Sequence, residues 1–585
     1  MKFCAKVVER FSLRKLCSLK RFPWVVAVVI AMPIVAHAEM SRAMTVTSVD
    51  PLVKVLRSDT NWPACRAEAE SPRGGHATLQ FVVRAPADLR GLHASVQFRD
   101  AALTAATSVR FVGYAHVKDS YSGASSDVIK SPDKWYPDPL LEDATVDVPA
   151  NQAQAVWITV AVPSNQPPGR AQGVLKVEAQ MNGKPVRLEE KFRLEVSPVV
   201  LTGPKLHVVN WWNYSPDNLA RLTGYPVKEF SGEYWAAIEQ FARMQADYGQ
   251  DTIFVSPIHL TRISKADDKF QFDFSNFDRM VEIFRQAGVN GRITGEHLGG
   301  RAADPDWGAA PFILHVPPEA GAQSSALTDT NVIAFYSAFL PALRDHLQAK
   351  GWLGIYLQHI ADEPTAANAR SYHALCDFVR EHGRGLKFID AVHSPDSLTP
   401  EHGVAVPQLD IWHANHAAFD RYAAAGGEVW FYTCMYPRGS YANRFIEQPL
   451  ILTRLLHWLN ARYHAAGYLH WGYNQWQIGG TNSPFEETQY PISEGGSVMP
   501  GGDCWIVYPK NGRLLASIRL EAMRDGLEDW QLLQLLKQKN PGLAERLMNE
   551  TVLDFDHYDT DINHLRTRRH EMLDALGTTT VHPAK

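Results

Sequence analysis

Between residues 205 and 476, short apolar runs alternate with longer stretches of helical spacing, and this alternation constrains the fold more than any other feature of the sequence. Strand-like runs lie at 206–213, 252–256, 292–298, 354–360, 387–392, 409–413, 429–434 and 468–473. Helical periodicity fills 233–248, 274–287, 331–350, 369–382 and 449–465. Eight β/α units over about 270 residues match the size of a (β/α)8 TIM-like barrel. The link between the fifth and sixth runs lacks helical spacing, so one unit is expected to be degenerate. An open doubly wound sheet is the alternative, but no Gly-x-Gly-x-x-Gly follows the first run.

At 585 residues the chain is too long for one core, and the regions flanking the alternation read differently. Residues 1–38 combine seven Lys and Arg, the apolar run 24–35 and Ala36-His37-Ala38, the pattern of a secretory signal peptide. The expected mature chain is therefore periplasmic or secreted, without a membrane anchor. Residues 45–200 carry short alternating runs, such as 77–83, 155–162 and 174–179, separated by turn residues, which predicts an all-β sandwich. The predicted barrel region is 205–500. Residues 501–585 hold a strand-like run, a long surface helix at 514–537 and a last helix at 562–576, a C-terminal helical extension closing on the barrel.

Net charge near −5 and a pI near 6.5 leave no basic footprint, which excludes nucleic acid as the expected partner. Cys65, Cys376, Cys434 and Cys504 remain after signal removal, too widely spaced for a structural zinc site. No cofactor and no metal are expected. The 16 Trp and 20 Tyr are suited to stacking on sugar faces as well as to filling cores.

In a barrel, chemistry sits at the carboxyl ends of the strands. The fourth run ends Ala361-Asp362-Glu363-Pro364, and Pro364 biases Glu363 away from the α region, so an extended exit is expected. Other ends supply Trp212 and Asn213, Glu296 and His297, Asp390 and His393, His413, Tyr432 and Tyr436, and Trp471, Tyr473 and Asn474. Aromatic rings with Asn and His make a wall able to bind hydroxyls. Two adjacent acids fit glycoside cleavage, which needs an acid for the leaving oxygen. The seventh and eighth runs end without a carboxylate, so the usual nucleophile position is empty of acid. Cleavage assisted by a 2-acetamido group on the sugar needs no such nucleophile, only a carboxylate beside the acid to orient the amide.

The Ala361-to-Pro364 motif, the upstream sandwich, Pro500-Gly501-Gly502-Asp503 and the stretch 517–529 together resemble glycoside hydrolase family 123. That resemblance implies a retaining β-N-acetylgalactosaminidase acting on glycans with an N-acetylhexosamine. Glu363 would be the general acid/base and Asp362 the residue stabilising the acetamido group. A tyrosine would support the acetamido oxygen, with Tyr432, Tyr436 and Tyr473 as candidates. The physics then expects Glu363 to be protonated at rest and Asp362 ionised. The competing readings are a two-carboxylate glycosidase pairing Glu363 with Glu296 or Asp390, and a carbohydrate-binding protein without catalysis.

Overall fold

Alternation along the first strands puts apolar side chains on one face, and two five-stranded sheets bury those faces against each other. The chain is described by a computed structural model over residues 43–121, 128–202, 205–267, 269–399, 403–476, 483–490 and 498–578, so the expected signal peptide lies outside the described residues. One sheet is ordered Thr45–Val49, His76–Arg84, Ala153–Ala161, Thr107–His116, Trp135–Leu141. The other is ordered Glu68–Arg73, Lys184–Val200, Gly169–Met181, Leu89–Phe98, Val146–Val148. Their shared core includes Phe81, Val83, Ile158 and Val160 from one side, and Leu175, Val177, Phe192 and Leu194 from the other. Gly173 is required here, because a Cβ would fall 2.2 Å from the Phe192 ring.

The second half is a parallel eight-stranded sheet that curls into a nearly closed barrel. Its strands are β1 (His207–Asn210), β2 (Thr252–Val255), β3 (Arg292–Gly295), β4 (Tyr356–Gln358), β5 (Lys387–Val392), β6 (Val404–Pro407), β7 (Glu428–Tyr432) and β8 (Gly467–His470). The ladder runs β1-β8-β7-β6-β5-β4-β3-β2. Side chains span the remaining seam: Val208 N donates to Asp251 Oδ1 at 3.0 Å, and Trp212 Nε1 to the Phe254 carbonyl at 2.9 Å.

Helices α1 (Pro216–Thr223) and α2 (Gly232–Asp247) follow β1, α3 (Ser275–Ala287) follows β2, and α4 (Thr330–Ala349) follows β3. Then come α5 (Ala369–His382) after β4, α6 (Leu409–Ala424) after β6 and α7 (Leu450–Tyr463) after β7. Among the described residues a single 3-10 turn, Pro395–Ser397, lies between β5 and β6, so the degenerate unit lies where helical spacing fails. The sixth strand was misplaced, however: 409–413 opens α6, with Leu409, Trp412 and Phe419 buried, and the strand lies just before it. Five residues of alternation also fit the first turn of a helix, and Pro407 is what ends the strand.

Beyond the barrel, α8 (Ile518–Lys539) is followed by α9 (Pro541–Thr551) and α10 (Ile562–Gly577). The expected surface helix at 514–537 is a buried one. Along its first half Arg519, Glu521, Arg524, Asp525, Glu528 and Asp529 are all out of solvent. Burial of so many charges is tolerable only when each is paired and hydrogen-bonded. Arg519 donates to both Asp138 oxygens at 2.8 and 2.7 Å, and Glu521 accepts from Arg110, Tyr248 and Thr159. On the barrel side, Arg454 of α7 makes a two-pronged contact with Asp529 at 2.7 and 3.0 Å. Gly526 lets α8 approach α7 closely, since a Cβ there would meet the Arg454 carbonyl at 2.4 Å. The helix is thus a charged wedge between the front sheets and the barrel. Among the described residues, no helix is long and apolar enough to cross a membrane.

Candidate active site

Strand β4 ends at Gln358, and the chain beyond it stays tied to its neighbours as it leaves the barrel. Leu298 N and Gly299 N donate to the carbonyls of His359 and Ile360, and Ile360 N donates to Asp390 Oδ1 at 2.9 Å. Glu363 does not leave extended. Its φ is +53°, a left-handed conformation rare for a residue with a Cβ. Three bonds hold the turn: Glu363 N donates to the Ala391 carbonyl at 3.0 Å, and Arg301 reaches the carbonyls of Asp362 at 2.8 Å and Glu363 at 2.5 Å. The preference of a residue before proline for extended backbone is overridden here by these three bonds.

Both carboxylates lie at the carboxyl face of the barrel. Tyr432, at the end of β7, donates a short hydrogen bond to Glu363 Oε1. His393, just after β5, brings Nε2 to 3.3 Å from Glu363 Oε1 and 2.8 Å from the Tyr432 hydroxyl. Asp362 faces His297 across 3.9 Å, and its side chain is 46% exposed while protein encloses its remaining sides. Glu296 and His297 also line a cavity of about 560 Å³ over the ends of β2 and β3, together with Ser256, His259 and His315.

Electrostatics divide the pair. Burial and the neighbouring Glu363 charge push the Asp362 carboxyl well above the usual range, against the lowering pull of Arg301 and His393. Burial also acts to raise Glu363, but His393, Tyr432 and Arg301 outweigh it and hold its carboxyl below the ordinary value. Burial works against charge on His393, yet the Glu363 carboxylate prevails and pushes it up. The two shifts run opposite to the expected ones, with Asp362 raised and Glu363 lowered. The cause is the His393–Tyr432 clasp on Glu363, which no spacing in the sequence announces.

Behind the pair, Asp390 is fully buried and engaged by Ile360 N and by the Tyr372 hydroxyl at 2.6 Å. Donor atoms of His297, His359 and Asp390 lie within 4.8 Å of one another, so these three could hold a cation. Burial holds both imidazoles neutral, His359 down to about 3.

Several expected site residues are elsewhere. Trp212 is core, packed on Tyr214, Phe241 and Phe284. Tyr473 is buried against Phe241 and is removed from the acetamido candidates. The Asn474 side chain clasps the Asn213 main chain, Oδ1 accepting from Asn213 N at 2.7 Å and Nδ2 donating to the Asn213 carbonyl at 2.9 Å, and so closes the β1–β8 corner. His413 lies on α6, stacked on Phe555 and bonded to the Tyr441 hydroxyl at 2.9 Å. Trp471 is half-buried, its Nε1 donating to Asp503 at 3.2 Å, and burial pushes that carboxyl up to about 7. Tyr436 is 48% exposed beyond the end of β7, with Arg438 over its ring. Arg301, which lies in a short strand after β3, and Trp307 beside it carry no motif that marks them in the sequence.

The model of the GH123 catalytic domain matches residues 211–536, and that of the GH123 N-terminal domain matches 66–179. The catalytic match therefore runs through β2–β8 and most of α8, so the charged wedge is part of that domain and not an appendage. Among solved structures, a family 123 glycoside hydrolase from Clostridium perfringens, studied for glycolipid glycan hydrolysis, superposes with a TM-score of 0.66 at 15% identity, over 92% of this chain and 97% of that one. A β-glucuronidase from Bacteroides uniformis (TM-score 0.28, 8% identity, 78% of this chain, 51% of that one) is too different in shape to bear on the argument. So is a GH20 exo-β-N-acetylglucosaminidase from Vibrio harveyi (TM-score 0.20, 10% identity, 65% and 83%). Curated protein sequences gave no match. With an acid pair at the barrel's carboxyl face and a catalytic-domain match across more than half its length, the chain belongs to glycoside hydrolase family 123.

Proposed function

We propose that this glycoside hydrolase is an exported β-N-acetylgalactosaminidase that retains configuration by using the substrate's own acetamido oxygen as nucleophile. The observation that carries the reading is Tyr432. The end of β7 brings a phenol, not a carboxylate, against Glu363. Asp390, one of the two rival partners, is fully buried and its oxygens are already engaged.

In this reading the Asp362–Glu363 pair enters the reaction with one proton, favoured on Asp362 by the opposite shifts of the two carboxyls. The incoming acetamido N–H donates to Asp362 and favours its ionised form. The new negative charge then raises Glu363, so the proton passes to the residue that must protonate the glycosidic oxygen. Asp362 orients the amide and offsets positive charge on the forming oxazolinium ring, while the acetamido carbonyl oxygen attacks the anomeric carbon. Tyr432 would support that oxygen, its hydroxyl giving up the bond to Glu363 as Glu363 takes the proton. Glu363, now a carboxylate, later takes a proton from the water that opens the ring.

Export to a periplasm or beyond rests on the 1–38 pattern, and the chain is assigned a sandwich at 45–200 and a barrel at 205–500 on which the strand and helices of 501–585 pack. Turnover of p-nitrophenyl β-glycosides with and without a 2-acetamido group tests the mechanism. Hydrolysis of the N-acetylgalactosaminide alone is expected. Comparable rates on the plain galactoside would remove the acetamido group from the mechanism.

A further inference from the structure

His413 of α6 meets the carboxy-terminal hairpin formed by Val552–Asp554 and His557–Tyr558. Its ring is fixed there from two directions. One face stacks on Phe555 with ring centres 5.0 Å apart, and Nδ1 lies 2.9 Å from the Tyr441 hydroxyl. Nε2 then faces the hairpin acids and stands 3.8 Å from Asp554 Oδ1, too far for a hydrogen bond. One donor atom from each of His413, Asp554 and Asp556 lies within 4.8 Å of the other two. Among the described residues, the basic groups in ion-pair range of these two acids are histidines alone, His413 beside Asp554 and His557 beside Asp556. Two carboxylates and an imidazole nitrogen thus converge on one spot without a Lys or Arg to neutralise them.

We propose that His413, Asp554 and Asp556 bind a zinc-type divalent cation, with water completing its coordination. One imidazole with two carboxylates suits zinc and its first-row neighbours, whereas calcium and magnesium favour shells made of oxygen alone. A nitrogen and an oxygen bound to tetrahedral zinc stand about 3.4 Å apart, so a slight closing of the hairpin onto α6 seats the ion. The surroundings orient each ligand. With its proton on Nδ1 the imidazole donates to the Tyr441 hydroxyl and presents the Nε2 lone pair to the metal. The Tyr463 hydroxyl donates to Asp554 Oδ1 at 3.4 Å, and His557 Nδ1 lies 2.7 Å from Asp556 Oδ1. The His413 side chain is 31% exposed and that of Asp554 54%, so the ion enters from solvent without any unfolding. Its role is structural. Bound there, it clips the hairpin to α6, and Tyr441 carries the clip into the loop after β7. That loop already takes Ala442 N to the Tyr558 hydroxyl at 3.2 Å, and its Asn443 Nδ2 donates to the carbonyls of Cys434 and Pro437.

Zinc titration decides the matter, with the full chain, free of affinity tags and stripped with EDTA, followed by calorimetry. The variants are His413→Ala, Asp556→Asn and Tyr441→Phe. The wild type is expected to bind one zinc that His413→Ala no longer binds. Asp556→Asn and Tyr441→Phe should each weaken that site about tenfold or more. Saturating zinc should raise the wild-type Tm by about 2–3 °C and leave His413→Ala where it was. Asp556→Asn keeps the shape of the side chain, so its metal-free Tm should match the wild type and separate lost binding from lost folding. Hydrogen exchange needs no variant: zinc should slow exchange across 552–558 in the wild type. Failure of the wild type to bind zinc at millimolar concentration overturns the proposal, and so does unchanged exchange across the hairpin. Zinc binding that His413→Ala and Asp556→Asn leave intact places the metal elsewhere and overturns it too. A larger Tm shift with calcium than with zinc, kept in His413→Ala, likewise removes the imidazole from the site.

Discussion

His393 Nε2 lies 3.3 Å from Glu363 Oε1, and each side chain moves the other's proton affinity in the direction that favours an ion pair. Glu363, held below its ordinary 4.5, adds stability above that value and loses it as pH falls through the lowered one. His393, raised above 6.5, adds stability below that value and loses it as pH rises through the raised one. The pair is therefore strongest in the window between the two. His393→Ala should cost about 1–2 kcal/mol in urea unfolding near pH 5.5, with the difference shrinking at pH 3 and pH 9.

Asp362 runs the opposite way. Its raised carboxyl makes the folded state bind a proton that the unfolded chain releases, so stability falls as pH climbs from the ordinary 3.8 through the raised value. Asp362→Asn should raise Tm at pH 8 and leave it unchanged at pH 3. The same variant, and Glu363→Gln, should each lose about a thousandfold or more in kcat. Rescue of Asp362→Asn by azide with inverted product would make Asp362 a nucleophile and refute its assigned role.

Tyr432→Phe removes one of the bonds that keep Glu363 low. We expect kcat to fall about ten- to a hundredfold, and the acidic limb of the kcat/KM profile to move to higher pH. A lower kcat with an unmoved limb would mean that the phenol serves the substrate alone.

Arg519 and Asp138 are both wholly buried and bonded through two parallel contacts. Truncating either leaves the other charge unpaired out of water, so Arg519→Met or Asp138→Leu should each cost about 3–5 kcal/mol. The double variant should cost less than the sum, because neither orphan remains. Chemical unfolding of the three variants measures the coupling.

Much of this was legible in the sequence. Helical spacing at 369–382 and the apolar run at 387–392 mark α5 and β5 to the residue, because each apolar face is buried along its whole length. The Asp362–Glu363 pair was legible for a related reason: a barrel of this kind exposes its strand ends, and few of those ends are acidic. What stayed hidden depends on contacts between residues far apart in the chain. Trp212, Tyr473 and Asn474 have the right chemistry and the right strand ends, but their side chains turn into the wall rather than the cleft. The charges of 519–529 read as a wet surface because periodicity sees polarity and not its partners, which lie about 400 residues away at Asp138 and Arg110. The lowered Glu363 carboxyl follows from His393 and Tyr432 converging on one oxygen, a three-body fact that no local spacing carries.

The ionic wedge of α8 has a consequence for how this enzyme can evolve. Its acids and bases find their counter-ions half in the front sheets and half on the barrel. Cutting the gene between the two would strand Arg519, Glu521 and their neighbours without opposite charge in either fragment. Shuffling that gives the barrel a new amino-terminal partner must therefore bring matching ions with it, and so the two halves travel as one heritable unit.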